Sequence, residues 1–140
     1  MFDTVSAREI AVSGLRAQRA RMNVIALNIA NAETTRTPDG GGAFRRQLAI
    51  LETKRLTPGA KAEEAGVQVK RIIKDTSPLR EVYNPAHPDA NADGYVSYPN
   101  INLAVEMSDM ISAQRAYEAN VAVIVSRSRM HQRALEIIQK

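Results

Sequence analysis

The chain has 140 residues, enough for one domain with a modest core, and it contains no cysteine, which excludes disulfides, thiolate nucleophiles and Cys-based metal sites. Four Tyr, two Phe and no Trp leave the core to aliphatic residues and Met, which favours helix packing over a dense β-sandwich. The net charge of +4 is spread as four basic against two acidic side chains in residues 1–32, ten against nine in 33–102 and five against four in 103–140, without the concentrated basic stripe that a nucleic-acid partner requires.

Met1-Phe2-Asp3 opens without a basic region followed by a short apolar one, so no conventional secretory signal is expected. No run of about 18 apolar residues exists, so the chain is not expected to span a membrane. All six prolines lie between Pro38 and Pro99, together with every glycine except Gly14. Because these residues break helices, the two ends can be long helices and the middle cannot.

The first helix is expected to start at Ser6, where Ser6-Ala7-Arg8-Glu9 fits a capping box, and to run to about Ala32. Its apolar positions form two stripes. Ala11, Leu15, Gln18, Met22, Ile25 and Ile29 make one, and Ile10, Gly14, Ala17 and Val24 another. The run Thr37-Pro38-Asp39-Gly40-Gly41-Gly42 then ends helix formation. It lacks the Lys-Ser/Thr of a phosphate loop and leads out of a helix, so it implies no nucleotide site.

In the middle, partial alternation in Phe44–Lys54 and Val67–Asp75 predicts short strands, with loops around Pro58-Gly59 and Asn84–Asn100. Glu63-Glu64 reads as solvated surface. Asp89-Ala90-Asn91-Ala92-Asp93-Gly94 matches the opening of a calcium loop, but the twelfth position is Asn100 where a bidentate Glu is needed, and Pro88 and Pro99 deny the flanking helices. A polar turn at Asp93-Gly94 before a Tyr95–Tyr98 strand is expected instead. His87 and His131 lack ligand-spaced partners, so no metal, cofactor or catalytic constellation is nominated.

The second helix is expected to start after Asn102, a good N-cap, with Glu106 favoured in its first turn by the helix dipole. Leu103, Met107, Met110, Gln114, Tyr117, Val121, Ile124, Ser128, His131, Leu135 and Ile138 follow steps of four and three, a heptad seam. Ala113, Ala116, Val123, Met130, Ala134 and Ile137 make a second stripe. The expected fold is mainly α. Two long terminal helices, 1–32 and 103–140, pair as an α-helical coiled coil around an irregular, β-containing middle, 33–102. Two stripes on each helix need more neighbours than one short chain supplies, so uncovered apolar surface should drive association. Gln18 and Gln114 within the seams and Asn28 and Asn120 flanking them read either as polar positions tolerated near helix ends or as buried amides that fix register.

Specific words then narrow the reading. Ser13-Gly14-Leu15-Arg16-Ala17-Gln18, Arg21-Met22-Asn23 and Asn28-Ile29-Ala30-Asn31-Ala32-Glu33-Thr34 resemble the N-terminal signature of bacterial flagellar rod and hook proteins. Gly41-Gly42-Ala43-Phe44-Arg45-Arg46-Gln47 is similar to a Gly-x-Pro-Tyr-Arg-Arg segment of the short proximal-rod members of that family. So are Gly94-Tyr95-Val96, Pro99-Asn100-Ile101-Asn102, Glu106-Met107, Met110-Ile111 and Ala113-x-Arg115-x-Tyr117-Glu118-Ala119-Asn120-Val121. Ala43-Phe44 departs from the usual Pro-Tyr, removing a phenolic hydroxyl, and Arg129 replaces an expected Lys.

The resemblance implies a non-enzymatic structural subunit with rod-core terminal helices, exported by the flagellar type III apparatus. It implies polymerisation with copies of itself and other rod subunits, beside export-apparatus and basal-body ring components, into a periplasm-spanning shaft that carries torque and passes export substrates. The candidate assembly residues are Leu15, Met22, Ile25 and Ile29 on the first helix and Met107, Met110, Tyr117, Val121, Ile124 and Leu135 on the second. Asn28, Asn31, Arg115 and Asn120 are the candidates for polar locking. The same seams would also suit a soluble coiled-coil adaptor or export-chaperone-like protein.

Overall fold

The structure is a computed structural model that describes residues 7–56 and 65–138. Its elements in chain order are helix α1 (Ala7–Ala30), strands β1 (Gln47–Arg55), β2 (Ala65–Lys74), β3 (Arg80–Tyr83) and β4 (Tyr95–Tyr98), and helix α2 (Leu103–Ile138). The fold is therefore mainly α, with two small antiparallel hairpins inserted between the helices. The Ser6 cap, the Pro58-Gly59 loop and Glu63-Glu64 lie outside the described residues.

Helix α1 ends at Ala30, two residues earlier than expected, because Asn31 closes it. The Asn31 amide donates to Leu27 O at 2.9 Å, and the chain tightens through Ala32 N to Ile29 O at 3.3 Å and Thr34 N to Asn31 O at 3.2 Å. Left-handed Gly40 and Gly42, with φ of 73° and 82°, then reverse the chain at the expected breaker. At the other end of the middle segment, Asn102 Oδ1 accepts from Ala104 N at 3.0 Å and Val105 N at 3.3 Å, the expected cap of α2.

The first hairpin runs in register from Gln47 opposite Lys74 to Arg55 opposite Ala65, with a bulge between Ile50 and Leu51 that leaves Lys70 as the extra residue on β2. The second hairpin pairs Arg80 with Tyr98 through Tyr83 with Tyr95. Strand β4 falls where Tyr95–Tyr98 was expected, whereas β3 was not anticipated. Its four residues are all exposed, so they carry no alternation to read. The Asp93-Gly94 turn forms with Gly94 at φ 82°, held by Asn91 Oδ1, which accepts from Asp93 N at 3.0 Å and Tyr95 N at 2.9 Å.

Helix α1 packs against both the antiparallel α2 and the β1–β2 hairpin. Its buried residues are Ala11, Gly14, Ala17, Val24, Ile25 and Asn28, and four of these six are Gly, Ala or Val. Small residues let both neighbours approach closely. A Cβ at Gly14 would lie 2.8 Å from Asn120 Nδ2, and one at Gly66 would lie 2.5 Å from Ser13 Oγ. Ser13 Oγ donates to Ile10 O at 2.7 Å and accepts from Val67 N at 3.0 Å, joining hairpin to helix. The second helix has 36 residues against 24 in α1, a difference of 12 residues or roughly 18 Å of helix axis.

Candidate assembly interface

A buried polar cluster fixes the relation of the three layers. Asn28 on α1 is 1% exposed and Glu106 on α2 is 0% exposed. The Asn28 amide donates to Gln47 O at 2.8 Å and to Glu106 Oε2 at 3.0 Å, while its Oδ1 accepts from Gln47 N at 2.8 Å. The other Glu106 oxygen accepts from Arg46 Nε at 2.6 Å. Arg46 is itself steadied by Asn100 Oδ1 on its backbone N–H at 3.0 Å and by Asp75 and Asp109 carboxylates at 3.9 and 3.6 Å. Arg21 Nη2 meets Asp109 Oδ1 at 3.2 Å, tying α1 to α2 one turn further along. A buried charge needs such saturation, because leaving one partner unpaired costs several kcal/mol. The cluster therefore sets the stagger between the helices and the entry of the hairpin.

The same cluster explains which column of α2 faces α1. The covered column is Glu106, Met110, Ala113, Tyr117, Asn120 and Ile124, again in steps of four and three. It shares Met110, Tyr117 and Ile124 with the expected seam. It replaces Met107, Gln114 and Val121, which are exposed, with Glu106, Ala113 and Asn120. Apolar reading favoured the greasier column. A carboxylate with two buried donors waiting for it, and an alanine small enough for close approach, hold the helix turned the other way.

The candidate residues consequently divide. Ile25 and Asn28, expected at an assembly face, are instead buried inside the subunit. Leu15, Met22, Ile29, Met110, Tyr117 and Ile124 are half-buried, as are Asn31 and Asn120. The Asn31 amide is used in capping α1, and that of Asn120 bonds Ala116 O at 2.9 Å within its own helix. Met107, Arg115, Val121 and Leu135 are open to solvent. Gln18 retains one buried side-chain oxygen with no bonded partner. The residues that sequence reasoning missed are Arg46, Gln47, Asn100 and Asp109. Asn100 had drawn notice only as the wrong residue for calcium and as part of a family word, and Arg46 and Gln47 only as parts of another such word.

Beyond the cluster, α2 is largely uncovered. Only Glu106 and Ala113 are fully buried along it, while Leu103, Val105, Met107 and Ile111 near its start and Val123, Val125, Met130 and Leu135 further on are exposed. Ile137 and Ile138 stand 76% and 79% exposed. Between Ala7 and the α2 segment 122–131, an open groove of about 750 Å³ is lined by Ala122, Val123, Met130 and His131. Apolar surface of this extent along one helix is characteristic of an association surface.

Two carboxyls outside the cluster are held below their ordinary values. The Ser77 hydroxyl and backbone N–H, at 2.6 and 2.8 Å, lower the Asp75 carboxyl. The Gln68 amide at 2.8 Å, followed by Lys70 at 2.9 Å, lowers that of Glu52. Among the described residues no group of three His, Asp or Glu side chains is placed to hold a metal ion. No described helix is long and apolar enough to cross a membrane.

Comparison with known proteins falls on the same elements. Residues 9–36, which include most of α1, match the family model for flagella basal body rod proteins. Residues 92–137, β4 with nearly all of α2, match the model for the C-terminal region of flagellar basal body rod FlgEFG proteins. The chain is similar to the flagellar basal-body rod protein FlgC of Borreliella burgdorferi, 47% identical with 96% of this chain and 97% of that protein covered. It is also similar to FlgC of Bacillus subtilis, at 39% identity with 91% and 93% covered, and of Escherichia coli O6:H1, at 40% with 83% and 84% covered.

Proposed function

The chain belongs to the FlgC family of flagellar basal-body rod proteins, and on that premise we propose that it builds the rod through the apolar helix faces its fold leaves uncovered. It is a structural subunit of the flagellar basal body and not an enzyme. Its helices α1 and α2 form the wall of a tube by packing as a coiled coil with the helices of copies of itself and other rod subunits, while the segment between them carries lateral contacts. The tube transmits torque from motor to hook and passes export substrates. The subunit reaches it through the flagellar type III apparatus and meets export-apparatus and ring components at its base.

The single observation that carries this reading is the exposed apolar run along α2 from Val121 to Ile138. Each large aliphatic side chain taken from water stabilises an assembly by about 1.5–3 kcal/mol. Several such residues together offset the roughly 4–15 kcal/mol that association costs in lost freedom. Among the candidate residues, Met107, Val121 and Leu135 present apolar contact and Arg115 presents a charged one. Leu15, Met22, Ile29, Met110, Tyr117 and Ile124 contribute their exposed edges, with Asn31 and Asn120 beside them.

Val121→Asp tests the assignment. This exposed position tolerates a carboxylate in the free subunit, so the variant should stay soluble and folded while rod growth and motility are lost. Normal swimming by that variant would remove Val121 and its face from the assembly surface.

A further inference from the structure

The middle segment is nearly balanced in charge in total, yet its two hairpin stretches carry opposite charge. Strands β1 and β2 carry Lys54, Arg55, Lys70, Arg71 and Lys74 against the single acid Glu52. Residues 75–98 carry Asp75, Glu81, Asp89 and Asp93 against the single Arg80. Each patch also has an exposed apolar centre. Ile72 is 53% exposed on β2, with exposed Lys74 next to it on the same strand face, and its cross-strand partner is only Ala49. On the second hairpin, Tyr83 is 64% exposed and Tyr95 43%, their rings edge to face at 5.3 Å. Exposed Glu81 shares the Tyr83 face, and exposed Asp93 precedes Gly94, on which the Tyr83 ring packs.

We propose that these patches are the two halves of one contact between copies of this chain. The Ile72–Lys74 face of one subunit seats on the Glu81–Tyr83–Tyr95 face of the next. Both are exposed in the same subunit, so neither covers the other. Ile72 would lie on the tyrosine rings, and Lys74 beside it would meet Glu81 and Asp93 at the rim. An apolar, aromatic centre inside a charged rim is the composition of an interface core. Opposite charges on the two halves favour this pairing and penalise like-on-like docking.

Because the halves differ, the contact is head-to-tail, and it propagates around a ring or helix instead of closing a two-fold dimer. A tube needs contacts of that kind. The inference rests on the rod-subunit reading and names a like-subunit contact within it.

The absence of native cysteine makes the contact directly testable. Ile72→Cys and Tyr83→Cys are introduced together into the full chain, and basal bodies are isolated after mild oxidation. A ladder of covalent subunit multiples, absent from either single variant, is the expected result. Rods in normal number without a ladder, or a link within one subunit, would overturn the contact and leave the rod reading standing. Absence of the wild-type chain from basal bodies would overturn both. In parallel, Lys74→Glu and Glu81→Lys should each lower the number of rods per cell about tenfold, and the double variant should restore it. Single variants without effect, or a double no better than either single, would also overturn the contact.

Discussion

Replacing Asn28 by alanine removes the hub of the buried cluster. The amide makes two bonds to Gln47 and one to the Glu106 carboxylate, at 2.8, 2.8 and 3.0 Å. Each neutral bond contributes about 1 kcal/mol net, and a bond to a charged acceptor about 1.5–3 kcal/mol. Truncation also leaves the Gln47 N–H and one Glu106 oxygen short of a partner in a site where both cluster side chains are closed to water. The expected loss is about 4 kcal/mol, a large part of the 5–15 kcal/mol typical of a whole domain. Urea unfolding of the full chain, followed by far-ultraviolet circular dichroism, measures it. Asn120→Ala is the matched control, because among the described residues that amide bonds only Ala116 O in its own helix, and it should cost less than about 1 kcal/mol. If Asn28→Ala loses no more than the control, the cluster does not hold the layers together.

Three further outcomes test separate joints. Arg46→Ala strips Glu106 of its 2.6 Å partner and should destabilise by about 3 kcal/mol in the same assay, with Glu106→Gln in the Arg46→Ala background recovering part of the loss. Gly66→Ala places a methyl 2.5 Å from Ser13 Oγ, breaking its bond to Val67 N, and should cost about 1–3 kcal/mol by the same measurement. Asp75 should titrate by carboxyl NMR below its ordinary value of 3.8, and Ser77→Ala should move it upward. A carboxyl lowered by folding contributes stability that is complete above its unfolded value and lost as pH falls through the folded one. Wild type should therefore keep the Asp75 contribution at pH 4, and the Ser77 variant should lose it at higher pH than wild type does.

The helices were legible because all the prolines and every glycine but Gly14 are confined to the middle, and because Asn102 is a residue type with a mechanism at its position. Asn102 caps α2 as its chemistry dictates, and the Asp93-Gly94 turn forms for an equally local reason. The face of each helix was only half legible. Met110, Tyr117 and Ile124 belong to both possible seams of α2, and the choice between them falls to Glu106, which hydrophobic periodicity discards. Its partners, Asn28 and Arg46, lie 78 and 60 residues away in the chain, so no local pattern pairs them. Strand β3 was hidden because only its hydrogen-bonded partner β4 makes Arg80–Tyr83 a strand. The charge separation between the two hairpins lies along the chain, in 47–74 against 75–98, and was missed only because a total over 33–102 cancels it.

Hydrogen–deuterium exchange across α2 tests the central claim most directly, read in the free subunit and again in isolated basal bodies. Amides from Val121 to Ile138 should exchange fast in the free chain, where side chains such as Met130 and Ile138 are 68% and 79% exposed, and become strongly protected in the rod. Firm protection of that segment in the free monomer, or unchanged fast exchange in the rod, would contradict it.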